Sequence, residues 1–160
     1  IPPMPLEKIP FHIEKLKKAL NPNNTRGRLT FIHRFGLTKI EQALPVLLKA
    51  IKETCPETTL VCDPMHGNTL TKSNGWKERK FEVICKELGS AFSIHNEHGM
   101  PLNGISIELT GDFVSECTGG KLAAKAGPPS RSACDPRLNP QQALELAFFV
   151  GQKLKDSPRL

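Results

Sequence analysis

An α/β fold with parallel strands is predicted by three features of this 160-residue sequence. Apolar residues recur at helical spacing in four separate segments. Short runs rich in β-branched and aromatic residues stand between them. Strand and helix patterns alternate along the chain, which calls for crossover connections and therefore parallel pairing.

Residues 11–20 set Ile13, Leu16 and Leu20 in helical step and stop at Asn21-Pro22. Residues 23–27 form a polar turn, and 28–34 (RLTFIHR) read as a strand. Thr38 with Glu41 three residues on is the pattern of a capping box. The helix it would open runs through Leu44, Leu47, Leu48 and Ile51, with Pro45 near its start. A second strand follows at 58–62. Residues 78–88 read as a helix with Phe81, Ile84 and Leu88 in step, continuing past Gly89 towards His95. The third strand is 104–109 (GISIEL), and a Gly-, Ala-, Pro- and Ser-rich loop spans 110–132. Asn139-Pro140 opens a last helix through Leu144, Leu146, Phe149 and Leu154, with proline at its first position. The tail from Asp156 reads as frayed. Three parallel strands cannot close a barrel, so the pattern describes a piece of a larger sheet or a small open one.

Composition narrows the class. A hydrophobic fraction of 38% and a charged fraction of 24% are ordinary for a globular domain. No apolar run approaches the ~20 residues of a membrane span, and no basic-apolar-small leader opens the chain. The five cysteines stand singly without a CxxC pair, which fits reduced thiols inside a cell. Ile1-Pro2-Pro3 reads as mid-chain sequence, as in a fragment or a processed product. The net charge of +6 and pI near 9.2 suit a nucleic-acid surface, a phosphorylated substrate or solvated helix faces. The absence of tyrosine and an aromatic fraction of 6% leave few stacking platforms and count against nucleic acid. Lys15, Lys17, Lys18 and the 77–80 run read as solvated faces.

Strand tips carry the candidate chemistry. The first strand ends in His33-Arg34, the second runs into Asp63-Pro64-Met65-His66, and the third ends at Glu108. The loop closes at Cys134-Asp135-Pro136-Arg137. Parallel strands put all their C-terminal ends on one side, so Arg34, His66 and Glu108 should converge, with Asp135 brought in by the loop. An imidazole with two carboxylates suits Mn²⁺, Fe²⁺, Co²⁺ or Zn²⁺ better than Ca²⁺. A guanidinium beside them can clamp a phosphate or carboxylate. Each residue also has a plain reading: His66 as a turn histidine, Glu108 as a cap, Asp135 as a turn residue before proline, Arg34 as an ion-pair partner. His12, His95 and His98 read as surface helix residues, and Cys62 and Cys134 as small hydrophobes.

Longer motifs carry a resemblance. The runs NPNNTRGRLTFIHRFG (21–36), CDPMHGNT (62–69), IELTG (107–111), SECTGG (115–120) and CDPRLNPQQALELAF (134–148) are similar to class II DAHP synthase. The likeness extends from about residue 5 to 155. It implies the C-terminal part of a (β/α)₈ TIM barrel, its last three strands and helices, with residues 1–160 as a partial barrel domain. The activity implied is the condensation of phosphoenolpyruvate with erythrose 4-phosphate and water, the first step towards chorismate and the aromatic amino acids. The resemblance implies metal ligands at His66, Glu108 and Asp135, and Mn²⁺ or Co²⁺ as the metal. It implies phosphoenolpyruvate binding at Arg34, with Arg34 and His66 catalytic, and sugar-phosphate binding at Lys77. No nucleic-acid or membrane partner is implied. A homo-oligomeric parent and a cytoplasmic location are, or a plastid one in a plant, with the transit peptide upstream. The family's fourth metal ligand, a cysteine, and its Lys-x-Gly-Pro strand belong to an N-terminal half that these residues do not include. The 121–133 loop is shorter than the family's and carries Pro128-Pro129. Two other readings stand beside this one: a secondary-metabolism relative of phenazine or amino-sugar type, and a truncated product that only binds a partner.

Overall fold

The computed structural model describes residues 5–121 and 134–156. The reading of Pro128-Pro129 in the 122–133 loop, of Ile1-Pro2-Pro3 and of the tail beyond Asp156 lies outside the described residues. The architecture is mixed α/β. A three-stranded parallel sheet has the order β1-β2-β5, from β1 (Thr30–His33), β2 (Thr59–Cys62) and β5 (Gly104–Ile105). Helices α1 (Ile9–Leu20), α2 (Ile40–Thr54), α3 (Phe81–Glu97) and α4 (Pro140–Asp156) occupy the segments that the apolar spacing marks out.

Side chains alternate along each strand, so one face of the sheet is dry. Phe31 and His33 of β1 and Leu60 and Cys62 of β2 are buried, whereas Thr30 and Ile32 are exposed. Against the dry side, α2 buries Ile40, Leu44, Leu47, Leu48 and Ile51 completely. Each such side chain contributes roughly 2 kcal/mol by leaving water. Ile84, Leu88 and Ala91 of α3 and Ile9 and Ile13 of α1 complete the core.

Four expectations need correction. First, residues 77–80 do not open a helix. They form β4 (Lys77–Lys80), antiparallel to β3 (Leu70–Thr71) and parallel to β6 (Cys117–Thr118) in a second small sheet, and α3 starts only at Phe81. Second, the Thr38–Glu41 capping box does not form. Helix α2 starts at Ile40 without a side-chain cap, and the Gly36 carbonyl accepts from the Lys39 and Ile40 amides at 3.1 Å each. Third, the third strand pairs only over Gly104–Ile105. Further on, Leu109 forms an isolated parallel bridge with Leu138, which places the segment after the loop beside Glu108. Fourth, His95 is no surface residue. It is fully buried, and its Nε2 lies 3.2 Å from Nε2 of buried His33. By contrast, the Asn139-Pro140 helix start is as expected. The Asn139 Oδ1 accepts from the Gln142 amide at 3.0 Å, and Gln142 Oε1 accepts from the Asn139 amide at 3.2 Å.

Candidate functional site

Arg34, Asp63 with His66, and Glu108 stand past the C-terminal ends of β1, β2 and β5, while Lys77 and Arg79 come from β4 and Asp135 from beyond the loop. The Asp63-Pro64 turn after β2 is built by one carboxylate. Asp63 Oδ1 accepts from the amides of Met65 at 3.0 Å and His66 at 3.1 Å. A short 3₁₀ turn then runs over His66–Asn68. Asp63 Oδ2 holds His66 Nδ1 at 2.6 Å. With Nδ1 engaged, Nε2 points at two carboxylates: Glu108 Oε1 at 3.6 Å and Asp135 Oδ2 at 4.0 Å. One donor atom from each of His66, Glu108 and Asp135 lies within 4.8 Å of the others. Their side chains are 34%, 33% and 27% exposed, so an ion and a ligand can reach them.

A basic side chain makes a short hydrogen bond to one oxygen of each carboxylate. Glu108 Oε2 accepts from Arg79 Nη1, and Asp135 Oδ1 accepts from Lys77 Nζ at 2.5 Å. Oε1 and Oδ2 are the oxygens that face the imidazole. Arg79 comes from β4 and is fully buried. Its remaining donors go to Thr69 Oγ1 at 2.8 Å, to the Pro136 carbonyl at 2.5 Å and towards Asp135 Oδ2 at 3.5 Å. The hydrogen bond and charge of Lys77 hold the Asp135 carboxyl below its usual range, so it is ionised at neutral pH. Arg34, half-exposed just past β1, sets Nε 3.7 Å from Asp63 Oδ2. Its guanidinium is therefore tied through Asp63 to His66.

This donor set suits a divalent cation. An imidazole nitrogen oriented through its other nitrogen by a carboxylate is the usual arrangement of a histidine ligand. Two carboxylate oxygens facing it complete a mixed nitrogen–oxygen set. Arg34, His66, Glu108 and Asp135 thus come together as the strand order requires, and Lys77 lies beside them on Asp135. Cys62 points into the core and Cys134 is exposed; neither belongs to the donor set.

Three contributors were not legible in the sequence. Asp63 reads as part of a turn, and nothing in the sequence separates a carboxylate that only shapes a turn from one that also orients the histidine three residues on. Arg79 was hidden in the charged run 77–80, which read as solvated. Alternation along β4 puts Lys77 and Arg79 on one face, so both reach the two carboxylates, Lys77 from the exposed end of the strand and Arg79 from its buried part. Glu87, on α3, is fully buried and accepts from the Gly36 amide at 3.0 Å and from Asn68 Nδ2.

Comparison with known proteins adds a second line of evidence. Residues 7–151 match the model of the class-II DAHP synthetase family. The chain is 42% identical over 146 residues to a phospho-2-dehydro-3-deoxyheptonate aldolase of Mycolicibacterium smegmatis, covering 87% of this chain and 31% of that protein. It is 45% identical over 138 residues to the Neurospora crassa protein of the same name, covering 83% of this chain and 29% of that one. For the Streptomyces coelicolor protein of that name the identity is 39% over 142 residues, with shares of 87% and 32%. The chain spans about a third of the length of these curated relatives.

Proposed function

The chain belongs to the class-II DAHP synthetase family, and from that premise we propose that it is the C-terminal portion of a (β/α)₈-barrel transferase. The parent enzyme condenses phosphoenolpyruvate with erythrose 4-phosphate. A carbon–carbon bond forms between C3 of phosphoenolpyruvate and the aldehyde carbon, water adds at C2, and inorganic phosphate leaves. Residues 1–160 form one partial barrel domain in this reading, and the product enters aromatic amino-acid biosynthesis.

One observation carries the proposal: Arg34, His66, Glu108 and Asp135 meet at the tips of neighbouring parallel strands, where barrel enzymes place their chemistry. His66, Glu108 and Asp135 would hold the divalent metal, Mn²⁺ or Co²⁺. When bound, that metal supplies a Lewis acid that polarises the aldehyde oxygen. Arg34 neutralises the anionic phosphoenolpyruvate and holds it at the site. Asp63 keeps the imidazole in one orientation and sets which nitrogen is free. Arg79 fixes Glu108 through Oε2, so that residue donates through Oε1 alone. Lys77 is half-exposed on a long stem, and we assign it to the sugar phosphate once it leaves Asp135.

A chimera tests this reading. The preceding part of the M. smegmatis relative, joined to this chain, should consume phosphoenolpyruvate only when erythrose 4-phosphate and Mn²⁺ are both present. His66→Ala in that chimera should reduce turnover to background. Turnover unaffected by His66→Ala would overturn the assignment.

A further inference from the structure

We infer that Glu87 and Asn68 are positioning residues that fasten the loop bearing Arg34 to the loop bearing His66, so that the anion-binding and metal-binding halves of the site move as one unit. The inference rests on the reading of those two residues given above. Neither Glu87 nor Asn68 belongs to the donor set itself. Their bonds run between the two loops. Glu87 Oε1 accepts from the Gly36 amide at 3.0 Å, two residues past Arg34, and Oε2 accepts from Asn68 Nδ2, two residues past His66. Asn68 Oδ1 in turn accepts from the Leu37 amide at 3.0 Å, and Nδ2 also donates to the Pro64 carbonyl at 2.8 Å. One carboxylate and one amide therefore close a ring around both strand tips.

The backbones of the two loops touch inside this ring. A Cβ on Gly36 would meet the Gly67 carbonyl oxygen at 2.5 Å, and Gly36 has φ +80, which an L side chain rarely adopts. Two glycines thus let the loops close, and Glu87 with Asn68 holds them closed.

The donor count shows which state of Glu87 does this. The Gly36 amide and the Asn68 side chain are N–H donors, one to each oxygen, so both oxygens must accept. Only the carboxylate can do so, because a protonated carboxyl gives up one acceptor. Burial pushes Glu87 up to about 7, against the lowering effect of its bonds to Asn68, Gly36 and Phe35. Asp63, at the tip of β2, is the charged neighbour and also raises it. The other titratable neighbour, the buried Cys62 thiol of β2, is pushed up well above its usual range by burial and by both carboxylates, and so stays neutral. The clasp is therefore complete on the alkaline side of neutrality and loses a bond on the acid side.

The Gly36 amide reports the clasp directly, without metal or substrate. Its NMR resonance in the chain should titrate between pH 5.5 and 8.5 with a midpoint near 7, and the same resonance should be flat in Glu87→Gln. At pH 8, phosphoenolpyruvate should bind Glu87→Gln and Asn68→Ala about 10-fold more weakly than the unaltered chain. On acidification the affinity of the unaltered chain should fall towards that of Glu87→Gln, and the difference between the two should shrink. If Glu87→Gln does not fold, Asn68→Ala carries the affinity measurement, because it removes the same bridge from the other side. A Gly36 resonance that does not move in the unaltered chain, or phosphoenolpyruvate affinities unchanged in both variants, would overturn the inference. A titrating Gly36 in a chain that binds no phosphoenolpyruvate would leave the clasp standing and remove the anion-site reading.

Discussion

The Asp63 carboxylate links the two halves of the site at the scale of single atoms: one oxygen shapes the turn, the other orients His66 and faces Arg34. The ligand candidates themselves were readable from the chain, because strand tips and residue types are enough to propose them. Their partners were not, because a carboxylate in a turn and a carboxylate behind a histidine look alike in sequence. The buried histidine pair makes the same point. His95 Nδ1 lies 2.7 Å from the Met100 carbonyl and must donate to it, so its Nε2 accepts from His33 Nε2–H. His33 Nδ1 is left without a partner among the described residues. Burial lowers the affinity of both rings for a proton, taking His33 to about 3. The unfolded chain binds these protons near pH 6.5, so the neutral rings' contribution to stability is complete above that value and is lost as pH falls below it, for His33 down to about 3. Each ring that stays neutral costs roughly 1.4 kcal/mol per pH unit across the window. Glu87 acts in the opposite sense between about 4.5 and 7, since its folded carboxyl keeps a proton to higher pH. Denaturant melts from pH 7 to 4 should therefore show a fall in stability that steepens in Glu87→Gln. A fall that is unchanged or shallower in that variant would contradict the account.

Among the elements, those driven by apolar periodicity were legible and those set by tertiary contacts were not. Helix α2 presents its leucines and isoleucines at 3.6-residue spacing, and α4 announces itself with Asn139-Pro140 and a reciprocal cap from Gln142. The β3–β4 hairpin has no such signal. Its strands are short, one is a run of charges, and pairing with β6 across nearly forty residues is what makes Lys77–Lys80 extended. The functional cost of missing it is specific, because the hairpin delivers both cations that hold Glu108 and Asp135. The failed capping box at Thr38 has a similar cause. The Gly36 carbonyl takes the first amides of α2, and the Gly36 amide is committed to Glu87, so the clasp fixes where the helix starts.

At the scale of the whole molecule, the sheet and helices end in surfaces that look unfinished. Phe11, Leu16 and Leu20 on α1 and Leu144, Phe148 and Leu154 on α4 are exposed, and β1 and β5 are the edge strands of their sheet. Relatives about three times as long carry further chain that would cover such faces in the barrel reading. Large exposed apolar patches and open strand edges favour association. Sedimentation of the isolated chain should accordingly show concentration-dependent self-association; a monomer at all concentrations would count against these faces being unfinished. The parallel pairing was legible in the alternation of patterns, and it brings Arg34, His66 and Glu108 to one side, with Asp135 supplied from beyond the loop.

The central claim is that His66, Glu108 and Asp135 make a divalent-cation site, and Mn²⁺ binding tests it most directly. Free Mn²⁺ followed by electron paramagnetic resonance should fall on titration with the chain as one saturable site per molecule, and His66→Ala should abolish that site while leaving the fold intact. Equal Mn²⁺ binding by the unaltered chain and by His66→Ala, or no saturable binding to either, would contradict it.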